Sequence, residues 1–171
     1  MAISLSLLQE KDAAELFNFE VQNRWFFEKM VPSRGDDYYS WEIFLERHRD
    51  LLNEQEHGLS QFYLVKDGTG KIAGRMNLID IDKENSKAEI GFRIGEAHVG
   101  KGIGNSALRL LLDAPLTVKR IAAKTTTVNI ASQKVLEKNG FIRIGIDDEE
   151  FEMNAQKMKV VHYLWDKENQ E

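Results

Sequence analysis

Glu89-Ile90-Gly91-Phe92-Arg93-Ile94-Gly95-Glu96-Ala97-His98-Val99-Gly100-Lys101-Gly102-Ile103-Gly104 reads in two parts. Ile90, Phe92 and Ile94 alternate with Glu89, Gly91 and Arg93, the period of a half-buried strand. The glycine-rich turn Gly100–Gly104 follows, and then Asn105-Ser106-Ala107-Leu108-Arg109-Leu110-Leu111-Leu112, an apolar helical run. Strand, glycine turn and helix together build an anion site: glycines let the backbone approach a ligand, and the first N–H groups of the helix point at it. The segment implies a ligand that carries phosphate.

Two familiar phosphate motifs fit poorly. Gly95 with Gly100-Lys101 nearly spells a P-loop, but Gly102 stands where a Ser or Thr hydroxyl must hold magnesium. A dinucleotide fingerprint needs a third glycine where Asn105 stands, an acidic residue ending the next strand, and a place at the first strand. None is evident.

Further along, Asn129-Ile130-Ala131-Ser132-Gln133-Lys134-Val135-Leu136-Glu137-Lys138-Asn139-Gly140-Phe141 reads as a capped helix with a glycine stop. Taken in order, Ala88–Phe92, His98–Gly104 and Asn129–Phe141 resemble the GNAT N-acetyltransferase superfamily, in particular its RimJ/RimL branch of ribosomal-protein N-terminal acetyltransferases. Asn23–Glu28, Val31–Arg34 and Tyr38-Tyr39 resemble the N-terminal part of that branch. The resemblance covers about residues 5–166.

Elsewhere the chain bounds its class. At 171 residues without repeats, low-complexity segments or linkers, one domain over 1–171 is expected. A net charge of −5 argues against a nucleic-acid-binding surface and is mildly compatible with cationic substrates. Zero cysteines exclude disulfides, thiolate zinc sites and a Cys nucleophile. His48, His57, His98 and His162 have no metal-ligand spacing, so no metal is expected. The N-terminus lacks a basic signal-peptide start, and no apolar run approaches the ~20 residues that span a bilayer. A soluble, cytoplasmic protein is the expectation.

Periodicity predicts strands near 3–8, 61–66, 72–80, 89–95, 118–125, 141–146 and 158–165, and helices near 12–30, 39–55, 102–113 and 130–139. Asp12 is a candidate cap for the first helix, and Asp67–Lys71 a hairpin turn. Hairpins first and strand–helix alternation later give an α+β chain with a mixed sheet flanked by helices. The GNAT fold, a mixed, mostly antiparallel sheet of about seven strands with about four helices, has that architecture.

The resemblance implies transfer of acetyl from acetyl-CoA to a primary amine, without a covalent enzyme intermediate. It assigns the pyrophosphate to turn amides around Val99, Gly100, Lys101, Gly102, Ile103, Gly104 and Asn105. Lys101 either adds a charge there or is a solvated loop lysine. The pantetheine arm would lie along Phe92, Arg93 and Ile94, and against Asn129, which is also a good helix N-cap. Glu89 matches a strand glutamate that serves as base in some GNAT enzymes; a structural pair with Arg93 is the alternative. Many family members protonate the leaving thiolate with a tyrosine, but Leu136 stands there. Ser132, one turn earlier, is where this branch has a serine proposed as the acid; a plain helix serine is the alternative.

The acceptor that the branch implies is the N-terminal α-amine of a protein, such as a basic ribosomal protein. That amine has a pKa of about 7.8 against about 10.4 for lysine, so a modest base suffices. A polyamine or aminoglycoside, or a non-catalytic acyl-CoA-binding role, are the alternatives, and monomer and homodimer are both open. Trp25, Phe26, Phe27, Tyr38, Tyr39, Trp41 and Phe44 concentrate in the region that closes over the acceptor in the family, and most read as core. Glu28, Arg34, Asp36 and Asp37 read as loop charges within reach of an acceptor, and Asp147–Glu150 as a solvated loop.

Overall fold

The computed structural model describes residues 2–170. Strand β1 (Ser4–Leu7) leads through a 3-10 turn into α1 (Ala13–Glu28), a loop with a second 3-10 turn, and α2 (Trp41–Glu56). Strands β2 (Gln61–Lys66), β3 (Ile72–Asp82) and β4 (Lys87–Ile94) follow as an antiparallel meander. Then come α3 (Ile103–Asp113), β5 (Arg120–Thr126), α4 (Ile130–Lys138), β6 (Ile142–Ile146), a small hairpin of β7 (Phe151–Met153) and β8 (Gln156–Met158), and β9 (Val160–Asp166). The main sheet has seven strands in the order β1-β2-β3-β4-β5-β9-β6, and only β4 and β5 run parallel. This is the mixed, mostly antiparallel sheet with four α-helices that the sequence predicts.

Side chains alternate across the sheet, so it is covered on both faces. Toward α3 and α4, Met76, Leu78, Ile90, Ile121, Val161, Tyr163 and Trp165 meet Ile103, Ala107, Leu108, Leu111 and Leu136. Toward α1 and α2, Phe62, Leu64 and Ile72 meet Leu16, Phe19, Phe27 and Phe44. At the far edge β6 is exposed along its whole length, with Ile142 and Ile144 each 61% accessible.

Two local expectations change. Asp12 precedes α1 but its carboxylate accepts from the Gln9 amide at 2.8 Å, closing the preceding turn instead of capping the helix. The hairpin β7–β8 was unforeseen. It turns on Asn154 and Ala155 at φ of 54° and 60°, where a two-residue loop of this hand favours Asn-Gly. Met158 at its end is buried. The acidic run is exposed as expected, although Asp147 accepts from His162 at 2.7 Å.

Candidate active site

Strands β4 and β5 pair only from Lys87↔Arg120 to Ile90↔Ala123. Beyond that point β4 stays with β3 as far as Ile94, and β5 stays with β9 as far as Thr126. A row of β4 backbone groups therefore faces an open gap. A cavity of about 420 Å³ occupies it, lined by Ile90–Arg93 from one strand and Ala123–Thr126 from the other. Asn129, Ser132 and Leu136 of α4 line the same cavity, as do Arg34 of the α1–α2 loop and Phe151 and Met153 of the hairpin. Asn154 ties that hairpin down by donating to Glu28 O at 2.7 Å. Buried Gln133 donates to Thr126 O at 2.9 Å and holds the first turn of α4 against β5.

The glycine turn adjoins this gap. Gly100 and Gly102 take φ of 78° and 74°, so each is required for its backbone conformation. A Cβ on Gly104 would lie 3.5 Å from Ile94 Cγ1 and 3.6 Å from Val135 Cγ2, which seats the start of α3 between the end of β4 and α4. The first α3 bond recorded at this end is from Ser106 N to Gly102 O. The amides of Gly102, Ile103, Gly104 and Asn105 find no protein acceptor among the described residues. They form a cradle suited to phosphate oxygens at the positive end of an eleven-residue helix. Side chains there are otherwise engaged. Lys101 Nζ folds back onto Ala97 O at 3.0 Å, and Asn105 Oδ1 accepts from Asn139 at 2.7 Å. Val99 is exposed and does not line the 420 Å³ cavity.

Asn129 caps α4 as its residue type predicts, its Oδ1 accepting from Ser132 N at 3.2 Å. Its main-chain N–H donates to Thr126 O and its carbonyl accepts from Gln133 N, each at 3.2 Å, so the side-chain NH2 is the group that remains for a ligand. Phe92 and Arg93 line the gap, whereas Ile94 sits at its end against the glycine turn.

Glu89 does not line the cavity. It lies one register position below the opening, opposite Ala122, with Lys124 Nζ at 3.6 Å. A Glu89–Arg93 pair does not form, for a geometric reason: four residues along a strand separate two Cα atoms by about 13 Å. Arg93 turns instead toward Glu20 of α1, its Nη1 at 3.7 Å from Oε2.

That contact belongs to a buried charge cluster. Arg75 of β3, directly opposite Arg93, donates to Glu20 Oε1 at 2.7 Å and to the Tyr38 hydroxyl at 3.2 Å. Arg34 donates to the same hydroxyl at 3.2 Å. Burial opposes the Glu20 charge, but Arg75, Arg34 and Arg93 outweigh it and hold the carboxyl below its ordinary range. Burial likewise opposes Arg75, and Glu20 with Tyr38 raises it. Arg93 is pressed down to about 10 by burial and by Arg34, against the pull of Glu20. It remains charged at neutral pH.

Of the carboxylates expected near the acceptor, Glu28 and Asp36 both accept from Arg24, whereas Asp37 is exposed. Sequence reasoning missed Glu20, Arg75 and Asn77. The trace they leave is a charge on the buried face of α1, in register with Leu16, Phe19 and Phe27, and two polar residues inside the apolar β3 run. Among the described residues, buried Asn77 Oδ1, Thr126 Oγ1 and Arg34 Nε have no hydrogen-bond partner, and all three residues line the cavity. Such orphaned groups fit a site built for a polar ligand.

Comparison with known proteins decides the family, since the acetyltransferase (GNAT) domain model matches residues 3–142. The chain belongs to the GNAT acetyltransferases. Bacillus subtilis YjcK, provisionally named an N-acetyltransferase, is 32% identical over 157 residues, covering 86% of this chain and 84% of its own. YdaF of the same organism, provisionally a ribosomal N-acetyltransferase, is 32% identical over 171 residues, covering 94% and 89%. The fold of a ribosomal-protein-S5-alanine acetyltransferase from Vibrio fischeri superposes with a TM-score of 0.88 at 22% identity, over 100% of this chain and 96% of that one. A spermidine N-acetyltransferase from Vibrio cholerae, solved with CoA and spermine, superposes at 0.77 and 22% identity over 97% and 96%. As a GNAT acetyltransferase, this chain is an acyltransferase acting on an amine with acetyl-CoA as donor. Among the described residues there is no cluster of potential metal ligands and no helix long and apolar enough to cross a membrane.

Proposed function

We propose that this GNAT enzyme acetylates the N-terminal α-amine of a protein or peptide. The observation that carries the reading is that no carboxylate lines the cavity among the described residues, while Arg34, Arg75, Arg93 and Lys124 do. A polyamine arrives with several ammonium groups, and a cavity lined by cations repels them. An α-amine starts about 2.6 pKa units below lysine, so its neutral form costs about 3.5 kcal/mol less at neutral pH. Nearby positive charge lowers the amine pKa further. The cavity thus presents a neutral nucleophile without a dedicated base.

Acetyl-CoA supplies the activated thioester. The free amides of Gly102, Ile103, Gly104 and Asn105 hold its phosphates, and the unpaired edge of Gly91–Ile94 receives the extended pantetheine as an added strand. Ser132, in the first turn of α4 and lining the gap, donates a proton to the leaving sulfur and recovers the one that the amine nitrogen sheds as the amide forms. Leu136, the buried neighbour one turn on, has no proton to give. Glu89, below the opening and beside Lys124, reaches the amine only through water.

The test is mass-detected transfer from acetyl-CoA to a mixed panel: peptides with free Ala, Ser or Met N-termini, Nα-blocked lysine peptides, spermidine and an aminoglycoside. Product confined to free α-amines is expected. Product on spermidine or the aminoglycoside alone would overturn the reading in favour of small-amine acetylation.

A further inference from the structure

We infer that Arg34 and Arg93 form an anion subsite on the acceptor side of the cavity, and that the preferred acceptor carries a carboxylate close behind its amine. The inference rests on the α-amine reading and names the acceptor class within it.

The charges in the cluster do not cancel. Three guanidiniums, Arg34, Arg75 and Arg93, surround one carboxylate, Glu20. Arg75 takes Glu20 Oε1, and the hydroxyl of Tyr38 is shared by Arg75 and Arg34. The Arg93 guanidinium makes no hydrogen bond to protein among the described residues. Its only partners are Glu20 at 3.7 Å and the Phe27 ring, 4.7 Å from its guanidinium carbon. Arg34 Nε is buried without a partner, and its guanidinium lies 4.8 Å from the Tyr38 ring. Arg47 adds a fourth cation, 5.5 Å from that ring, in a cavity of about 250 Å³ that also holds Asp50. Arg34 and Arg93, with unsatisfied donors and a net positive surplus, both open on the 420 Å³ cavity. That combination suits a carboxylate, whose planar oxygens match guanidinium forks.

Position sets the reach. Alternation puts Arg75, Asn77, Gly91 and Arg93 on the α1–α2 face of the sheet, opposite α3 and α4. Phosphates at the glycine turn and a proton donor on α4 therefore lie on the other side of the gap. Gly91 stands where β4 and β5 part, and Arg93 is two residues further on, about 7 Å. An amine delivered at Gly91 thus meets Arg93 with the side chain of its own residue or of the next. Asn77, across from Gly91 with an unpartnered amide oxygen, is placed to accept from the incoming amine.

The test compares kcat/KM for free-α-amine peptides that differ only at position 2, as Asp, Asn or Lys, with a peptide bearing Asp at position 8 as control. Asp at position 2 is expected to exceed Asn by about ten- to hundred-fold, with Lys lowest. Arg34→Gln and Arg93→Gln should each bring the Asp/Asn ratio toward one, and Arg34→Lys should restore part of it. Calorimetric binding of the corresponding Nα-acetylated peptides to the CoA-loaded protein gives a readout free of turnover, and the same order is expected. Equal binding and turnover of Asp and Asn peptides would overturn the subsite, as would weaker acetyl-CoA binding in Arg34→Gln, which would assign the cluster to the cosubstrate. If no α-amine is acetylated but acidic peptides still bind selectively through Arg34, the function fails and the subsite stands.

Discussion

Among the described residues Glu20 is the carboxylate that pairs with buried Arg75, and replacing it with Gln isolates the charge from the shape. Both side chains are within a few per cent of full burial. Removing one partner of a buried ion pair costs about 3–5 kcal/mol, because the other charge is left without compensation. Gln keeps the volume and can still accept from Arg75, so the lower end, about 3 kcal/mol, is expected. For a chain of this size that lowers Tm by roughly 6–12 °C. The sign with pH follows from the depressed Glu20 pKa. Its stabilisation is complete above the unfolded carboxyl pKa of 4.5 and fades as pH falls through the lower folded value. Glu20→Gln should therefore lose most relative to wild type at neutral pH and least in acid. Urea denaturation at pH 7 and pH 4, with Arg75→Met and the double variant, measures this. The double should be more stable than the sum of the singles allows, since each removes the partner that the other strands. A loss below about 1 kcal/mol in Glu20→Gln, or strictly additive singles, would refute the claim that Glu20 neutralises Arg75.

Other positions give sharper contrasts. Gly74→Ala would put a Cβ 2.6 Å from Arg93 O and should destabilise by about 1–3 kcal/mol, whereas Gly91→Ala meets nothing within 4 Å; thermal denaturation should separate the two, with Gly91→Ala losing turnover instead because it enters the gap. Ser132→Ala should lower kcat by about a hundred-fold with little change in acetyl-CoA KM, read by steady-state kinetics; an unchanged kcat would remove the acid role. Ala155→Gly should stabilise by about 0.5 kcal/mol, because Ala at φ of 60° is strained, and calorimetry should find a Tm higher by about 1–2 °C.

The fold was legible where local chemistry and tertiary packing agree. Strand β2 spans Gln61–Lys66 as its alternation and the Asp-Gly-Thr-Gly turn require, and α3 begins one residue from its expected start. The hairpin β7–β8 was not legible, because Asn154-Ala155 lacks the glycine that marks such turns. Of the site, the glycine turn and the Asn129 cap could be read from sequence, as backbone conformation and capping are local. Glu20 and Arg75 are 55 positions apart, and only the sheet brings them together. Alternation rightly puts Glu89 and Arg93 on one face of β4, but the extended backbone leaves them too far apart to pair.

The seven strands are also two boards joined by a short seam. Strands β1 to β4 form one and β5, β9 and β6 the other, and four register pairs connect them. In the binding mode proposed above, a cosubstrate lying along the open part of the seam would act as a spline between the two boards. Its binding energy then adds to the cohesion of the whole sheet by mass action, about 2.7 kcal/mol at a hundred times Kd. Amides of Gly91–Ile94 should exchange with solvent more slowly once it is in place. In a cell whose acetyl-CoA pool rises and falls, the resistance of this enzyme to unfolding would rise and fall with it.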